Sequence, residues 1–155
     1  MKAAAETGKI DVVKFMIEKG ADKLNSALGR AGGSPNKETL LYLVKKEADN
    51  FNGALLVAIL FERKENIRLL IDLGANNING AVLEAAKFGY NEILDLLIEK
   101  GANDFNVALT IAASKGKLNT VKYLLRKGAT DIEGAIEASH NQPHVLEYLI
   151  SFKRV

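Results

Sequence analysis

The sequence predicts an all-α solenoid of stacked helix–turn–helix repeats, and three observations carry that prediction. Gly20-Ala21-Asp22 returns as Glu47-Ala48-Asp49, Gly74-Ala75-Asn76, Gly101-Ala102-Asn103 and Gly128-Ala129-Thr130, each 27 residues after the last. Further columns keep the same phase: Asn25, Asn52, Asn79, Asn106 and Glu133; Ala27, Ala54, Ala81, Ala108 and Ala135; Leu28, Leu55, Val82, Leu109 and Ile136. Between the columns, apolar residues fall at helical spacing. A fixed period of this length is the mark of a repeat array, in which each unit buries its apolar face against its neighbours.

Each element follows from the columns. The Asn column precedes an apolar-periodic stretch, where a side-chain oxygen can accept from an orphan amide, so a short first helix is expected to start there with Asn as its cap. Ala31, Ala58, Ala85 and Ala112 lie one turn beyond the Leu column and make that helix narrow. A break follows at Pro35, Gly89, Gly116 and Pro143. The second helix then carries Ile93, Leu94, Leu96, Leu97 and Ile98, or Val121, Tyr123, Leu124 and Leu125. Gly74, Gly101 and Gly128 suit the left-handed residue that closes a helix. Lys19, Lys46, Lys100 and Lys127 suit the negative end of its dipole. The organisation read from this is one domain over 1–155: a partial repeat at 1–19, repeats at 20–46, 47–73, 74–100 and 101–127, and a divergent C-terminal repeat at 128–155.

The stretch Ala108 to Ala129, ALTIAASKGKLNTVKYLLRKGA, resembles the central part of the ankyrin repeat. The resemblance extends over nearly the whole chain. It implies a protein-binding scaffold without catalysis. The ankyrin unit has about 33 residues, so each unit here is roughly six shorter. The missing residues fall where ankyrins build a β-hairpin finger, and the family's Thr-Pro-Leu-His is replaced by Val107-Ala108-Leu109-Thr110 or Gly80-Ala81-Val82-Leu83. Tight loops such as Gly101–Phe105 are therefore expected in place of hairpins. A leucine-rich repeat tolerates this period but needs a Leu-x-x-Leu-x-Leu strand signature that is missing.

The ends are irregular. Ala4 to Lys19 fits the back half of a unit, so the array starts mid-unit, either with a worn-down cap or as part of a longer array. The last repeat reaches Val145, Tyr148, Leu149 and Ile150 three residues early. Gly29, Gly32 and Gly33 lie in one first helix, each costing roughly 1 kcal/mol against alanine. Glu47 stands where glycine is expected. Residues 29–36 are thus expected to be the least stable stretch.

Composition excludes several classes. With 48% hydrophobic and 26% charged residues, the chain is neither disordered nor collagen-like. The absence of cysteine removes disulfides, thiolate metal sites and a cysteine nucleophile. No apolar run approaches the roughly 20 residues that span a bilayer, and the N-terminus lacks a signal-peptide h-region. An intracellular, cytoplasmic monomer is the expectation, with no membrane partner. His140 and His144 are four apart, but Pro143 lies between them and no third ligand is near, so a turn is favoured over a metal site. Ser139 beside His140 makes no triad by itself. No carboxylate pair is placed for acid/base work, and the glycines at 29–33 lack the lysine of a phosphate loop. No enzymatic activity, cofactor or metal is expected.

The resemblance maps partner contacts to the two residues before each break and the one after it. These are Leu60, Phe61 and Arg63; Lys87, Phe88 and Tyr90; Ser114, Lys115 and Lys117; with Gly33, Ser34 and Asn36, or Asn141, Gln142 and His144, in the outer repeats. The expected surface is the concave first-helix face, with Leu60, Phe61, Phe88 and Tyr90 close together and Arg63, Lys87, Lys115 and Lys117 around them. An aromatic centre with a basic rim has the composition of a binding hot spot. The competing expectation is that Phe61 and Phe88 pack between adjacent repeats. The apolar column Leu24, Phe51, Ile78, Phe105 and Ile132 is expected to be a buried stacking core. Residues 105–130 hold Lys115, Lys117, Lys122, Arg126 and Lys127 and no acid. The partner expected is another protein. The alternatives are a targeting or regulatory segment of a larger enzyme or effector, and, least favoured at a net charge of +2, a nucleic-acid-binding module.

Overall fold

The structure, a computed structural model, describes residues 1–154. Among them are twelve helices and no strand, so the tight loops expected in place of hairpins are present. The helices come in pairs. The first of each pair are α1 (Lys2–Glu6), α3 (Leu24–Ala31), α5 (Phe51–Leu60), α7 (Ile78–Phe88), α9 (Phe105–Ser114) and α11 (Ile132–Ala138). The second are α2 (Ile10–Glu18), α4 (Lys37–Lys45), α6 (Lys64–Asp72), α8 (Asn91–Glu99), α10 (Leu118–Arg126) and α12 (Pro143–Lys153). The fold is a helical repeat solenoid. Its contacts form two compact units, Met1–Asn77 and a second beginning at Ile78. In the N-terminal unit α3 packs between α1 and α5, and each first helix lies against its own second helix; in the C-terminal unit α9 packs in the same way between α7 and α11.

Very short links explain how a helix pair fits into so small a repeat. After α1, α5, α7 and α9 comes one left-handed residue, Gly8, Glu62, Gly89 or Gly116. The next residue, Lys9, Arg63, Tyr90 or Lys117, takes φ between −78° and −86° and ψ between 68° and 75°. The amide beyond it donates back across two residues, as Lys64 does to Glu62 at 3.1 Å and Leu118 to Gly116 at 3.0 Å. This is an inverse γ-turn, the smallest way to turn a chain. Pro35 and Pro143 occupy the same column as the left-handed residue. A proline ring fixes φ at about −65° and forbids that conformation. There the first helix stops early, at Ala31 or Ala138, and a longer link leads to Asn36 or Gln142. Pro143 then opens α12, which suits a residue without an N–H.

The alanine columns are the core. Ala27, Ala54, Ala81, Ala108 and Ala135 are fully buried, as are Ala31, Ala58, Ala85 and Ala112. Without bulk on that face, neighbouring first helices approach closely. Leu40, Leu43, Ile67 and Leu70 fill the space beneath in one unit, and Ile93, Leu94, Leu97, Val121 and Leu124 in the other. The column Leu24, Phe51, Ile78, Phe105 and Ile132 is half-buried rather than buried, because each residue opens its helix at the edge of the stack.

The Asn column has a different role from the cap expected of it. Asn25 is the second residue of α3, and its Oδ1 accepts from the backbone amides of Asp49 and Asn50 at 2.8 and 3.2 Å. Asn52 accepts from Asn76 and Asn77 at 2.9 and 3.0 Å, and Asn106 from Thr130 and Asp131 at 2.7 and 3.1 Å. Asn79 accepts from Asn103. Each Nδ2 donates to the side chain at the head of the next turn, Asp49, Asn76, Asn103 or Thr130. The column is a set of rungs between successive repeats. True caps lie two residues earlier, where Asn50 and Asp131 accept from the amides of Gly53 and Gly134.

Candidate partner-binding surface

In the N-terminal unit the expected contact residues sit on the link from α5 to α6. Leu60 ends α5 and is 48% exposed; Phe61 follows at 41%. Phe61 packs on the neighbouring repeat, as the competing expectation has it, and is at the same time exposed. The Cδ2–Cε2 side of its ring packs on Gly33, so closely that a Cβ there would lie 2.6 Å from Cδ2. Arg63 is half-buried, and its Nε donates to the Gly33 carbonyl at 3.0 Å. Its guanidinium is therefore partly committed within the fold.

The segment opposite differs from expectation. Gly33 and Ser34 are buried and so offer no partner surface; Gly32 is buried with them. A side chain at Gly32 would run into the Ala54 carbonyl, so backbone meets backbone here. Asn66, buried on α6, donates its Nδ2 to the carbonyls of Gly32 and Ser34, both at 2.9 Å. These bonds tie down the stretch whose glycines suggested weakness. Asn66 went unrecognised in the sequence. Its only trace is an amide side chain in a column otherwise held by Val12, Thr39, Ile93 and Thr120. The cleft alongside, about 700 Å³, is lined by both signs of charge, including Lys37, Glu38, Glu62 and Lys64.

In the C-terminal unit Phe88 and Tyr90 stack across the link from α7 to α8, with centroids 5.6 Å apart and planes within 20°. Lys87 lies over Phe88 at 5.3 Å and pairs with Glu84 at 3.3 Å. Lys115 caps α9 and is exposed; Lys117 precedes α10 and is half-buried. A cleft of about 300 Å³ runs between these links, lined by Phe88, Gly89, Gly116, Lys117, Leu118 and Thr120. The basic residues of 105–130 divide into two groups. On the outer face Lys122 lies over Tyr148 at 4.9 Å, and Lys127 pairs with Asp95 at 3.1 Å. The Tyr123 hydroxyl donates to that same carboxylate at 2.6 Å. This bond, with Lys127, holds the Asp95 carboxyl below the usual carboxylate range, while burial and then Asp95 push the Tyr123 phenol up. Lys115 and Lys117, on the link side, meet no carboxylate among the described residues.

His140 lies in the link before α12 with Nδ1 2.9 Å from the Glu137 carbonyl, and His144 sits on α12 near the Gly116 carbonyl. Among the described residues no three potential ligands gather around a metal position. No helix there is long and apolar enough to cross a membrane.

A family model described as ankyrin repeats (three copies) matches residues 55–134 and 82–154. The chain belongs to the ankyrin-repeat family. Its fold is similar to the human ASB11 ankyrin repeat domain, with a TM-score of 0.76 and 21% identity over 97% of this chain and 82% of that one. It is also similar to a chain in the complex of the predatory endopeptidase Bd0816 from Bdellovibrio bacteriovorus with the immunity protein Bd3460. There the TM-score is 0.67 and the identity 23%, over 97% of this chain and 96% of that one. At these identities the likeness is one of fold. No curated protein matches the sequence. Ankyrin repeats are generally protein-binding scaffolds without catalysis of their own, and this ankyrin chain has the helix pairs but, among the described residues, not the hairpin fingers.

Proposed function

We propose that this ankyrin chain is a protein-interaction scaffold, without enzymatic activity, that holds its partner on the ends of its first helices and the links after them. The residues assigned to contact are Leu60, Phe61 and Arg63 in one unit, and Lys87, Phe88, Tyr90, Lys115 and Lys117 in the other. One observation carries this reading: Leu60 at 48% and Phe61 at 41% stand open at the link after α5, although the core beside them is closed. An exposed aromatic there, with the half-buried Phe88 and Tyr90 of the other unit and the cations beside them, has the composition of an interface centre. Since the fingers are absent, the links supply what hairpin tips supply in longer units. The test is a pull-down comparing wild type with Phe61→Asp and Phe88→Asp, with folding checked by circular dichroism. Loss of bound protein by folded variants is expected. Folded variants that retain every partner would overturn the assignment.

A further inference from the structure

We infer that the links of the C-terminal unit bind an acidic peptide segment carrying an apolar side chain, with Lys115 and Lys117 as the groups that read its carboxylates. This rests on the proposed scaffold function and narrows its partner.

Most cations near the links are already committed within the fold. Arg63 donates into the backbone of its neighbour, Lys87 pairs with Glu84, Lys127 pairs with Asp95, and Lys122 covers Tyr148. Lys115 and Lys117 have no such commitment among the described residues. Both are fixed at their base by secondary structure, since Lys115 caps α9 and Lys117 occupies the inverse γ-turn before α10. Two ammonium groups, two residues apart across a rigid turn, form a partly pre-organised anion reader. The residues flanking the links of this unit add no carboxylate: Lys87, Phe88, Tyr90, Ser114, Asn141, Gln142 and His144 are neutral or basic.

A place for the peptide's apolar side chain is next to them. The cleft of about 300 Å³ is lined by Phe88 and Leu118, which an apolar group can meet, together with Lys117, Asn119 and Thr120. The stem of Lys117 lines this cleft close to Gly89, where a Cβ would meet its Cδ at 3.3 Å, and leaves the ammonium for solvent. A side chain entering the cleft would bring its neighbours against Lys117 and within two residues of Lys115 on the same link. Charge complementarity of this kind sets partner choice and encounter rate. Nucleic acid is the weaker fit. Two uncommitted cations neutralise too few phosphates for appreciable affinity at physiological salt.

The experiment uses the full chain as bait against a displayed library of random 12-residue peptides, with a single-stranded 20-nucleotide DNA as a second probe. Enrichment of peptides rich in Asp and Glu with at least one large apolar residue is expected. Their binding should weaken at least about tenfold in Lys115→Glu/Lys117→Glu and fall with added salt. Lys115→Gln/Lys117→Gln should lie between, and both variants should fold, since neither side chain supports the core. Enrichment of neutral or basic peptides, or equal binding by the charge-reversed variant, overturns the inference. Tighter retention of the DNA than of the best peptide overturns it in favour of a nucleic-acid ligand. Peptides that need Phe61 or Phe88 but ignore Lys115 and Lys117 overturn it while leaving the scaffold function standing. Peptides indifferent to all four residues, or no enrichment at all, count against both.

Discussion

The link after α3 and the link after α9 solve one problem in opposite ways. After α9 a left-handed Gly116 and an inverse γ-turn close the connection, the next repeat adds Gln142 and His144 at the Ser114 and Gly116 carbonyls, and the lysines beside it are left free. After α3 a proline stands in that column, the helix ends early, and the neighbouring repeat must hold the result in place. Asn66, Arg63 and the Phe61 ring all do so. A link whose turn is formed by its own backbone keeps its side chains available for a partner, even where the next repeat bonds to its carbonyls. A link closed by its neighbour has used them.

The largest effect should come from Gly32→Ala, which drives a methyl group into the Ala54 carbonyl. A loss of about 3 kcal/mol is expected, read as a fall in Tm of roughly 6–10 °C. Gly116→Ala should cost less, about 1–2 kcal/mol, because the left-handed strain is joined only by a contact with the Gln142 side chain, which can move aside as the Ala54 backbone cannot. Equal losses would erase the contrast between the two links. Next is Asn66→Ala, which strips the carbonyls of Gly32 and Ser34 of their donor and should cost about 2 kcal/mol. Hydrogen exchange sharpens this: the amides of Gly33 and Ser34 should be slow in wild type and markedly faster in the variant. Fast exchange in wild type would restore the expectation that 29–36 is the weakest stretch.

Glu47 and Glu62 hold the left-handed conformation at φ of 67° and 55°, which glycine adopts without strain. Replacing either by glycine should raise stability by up to about 1 kcal/mol, measured by denaturant titration. The smallest effect belongs to Asp95. Its folded pKa is depressed, so its contribution is complete above the ordinary carboxylate value of 3.8 and is lost as pH falls through the lower folded value. Tyr123→Phe should therefore be less stable than wild type at neutral pH, with the gap closing in acid. The carboxylate is half exposed, which keeps the gap small.

How much of this was legible in the sequence depended on the range of the interaction. Helices, links and the alanine core follow from columns that repeat, so five copies of one signal reinforce each other. The left-handed Glu62 was missed because its residue type disguises its column. The tie at Gly32 was missed because its partners, Ala54 and Asn66, lie in the next repeat, and a glycine-rich run read locally suggests only weakness. The Asn column was read as a cap because caps and rungs favour the same residue near a helix start. A shift of two residues separates them. At the surface, the exposure of Leu60 and Phe61 agrees with the mapping, while Gly33 and Ser34 do not, because the proline link moves them inward.

The rungs carry one more consequence. Asn25, Asn52 and Asn106 bond to amides 24 and 25 residues further along, and Asn79 to the one 24 residues on, so each measures a fixed length of chain. Inserting or deleting a single residue within that length misplaces both amides, whereas duplicating one whole repeat restores them. The molecule can grow or shrink in whole repeats, and the ladder resists any other change of length.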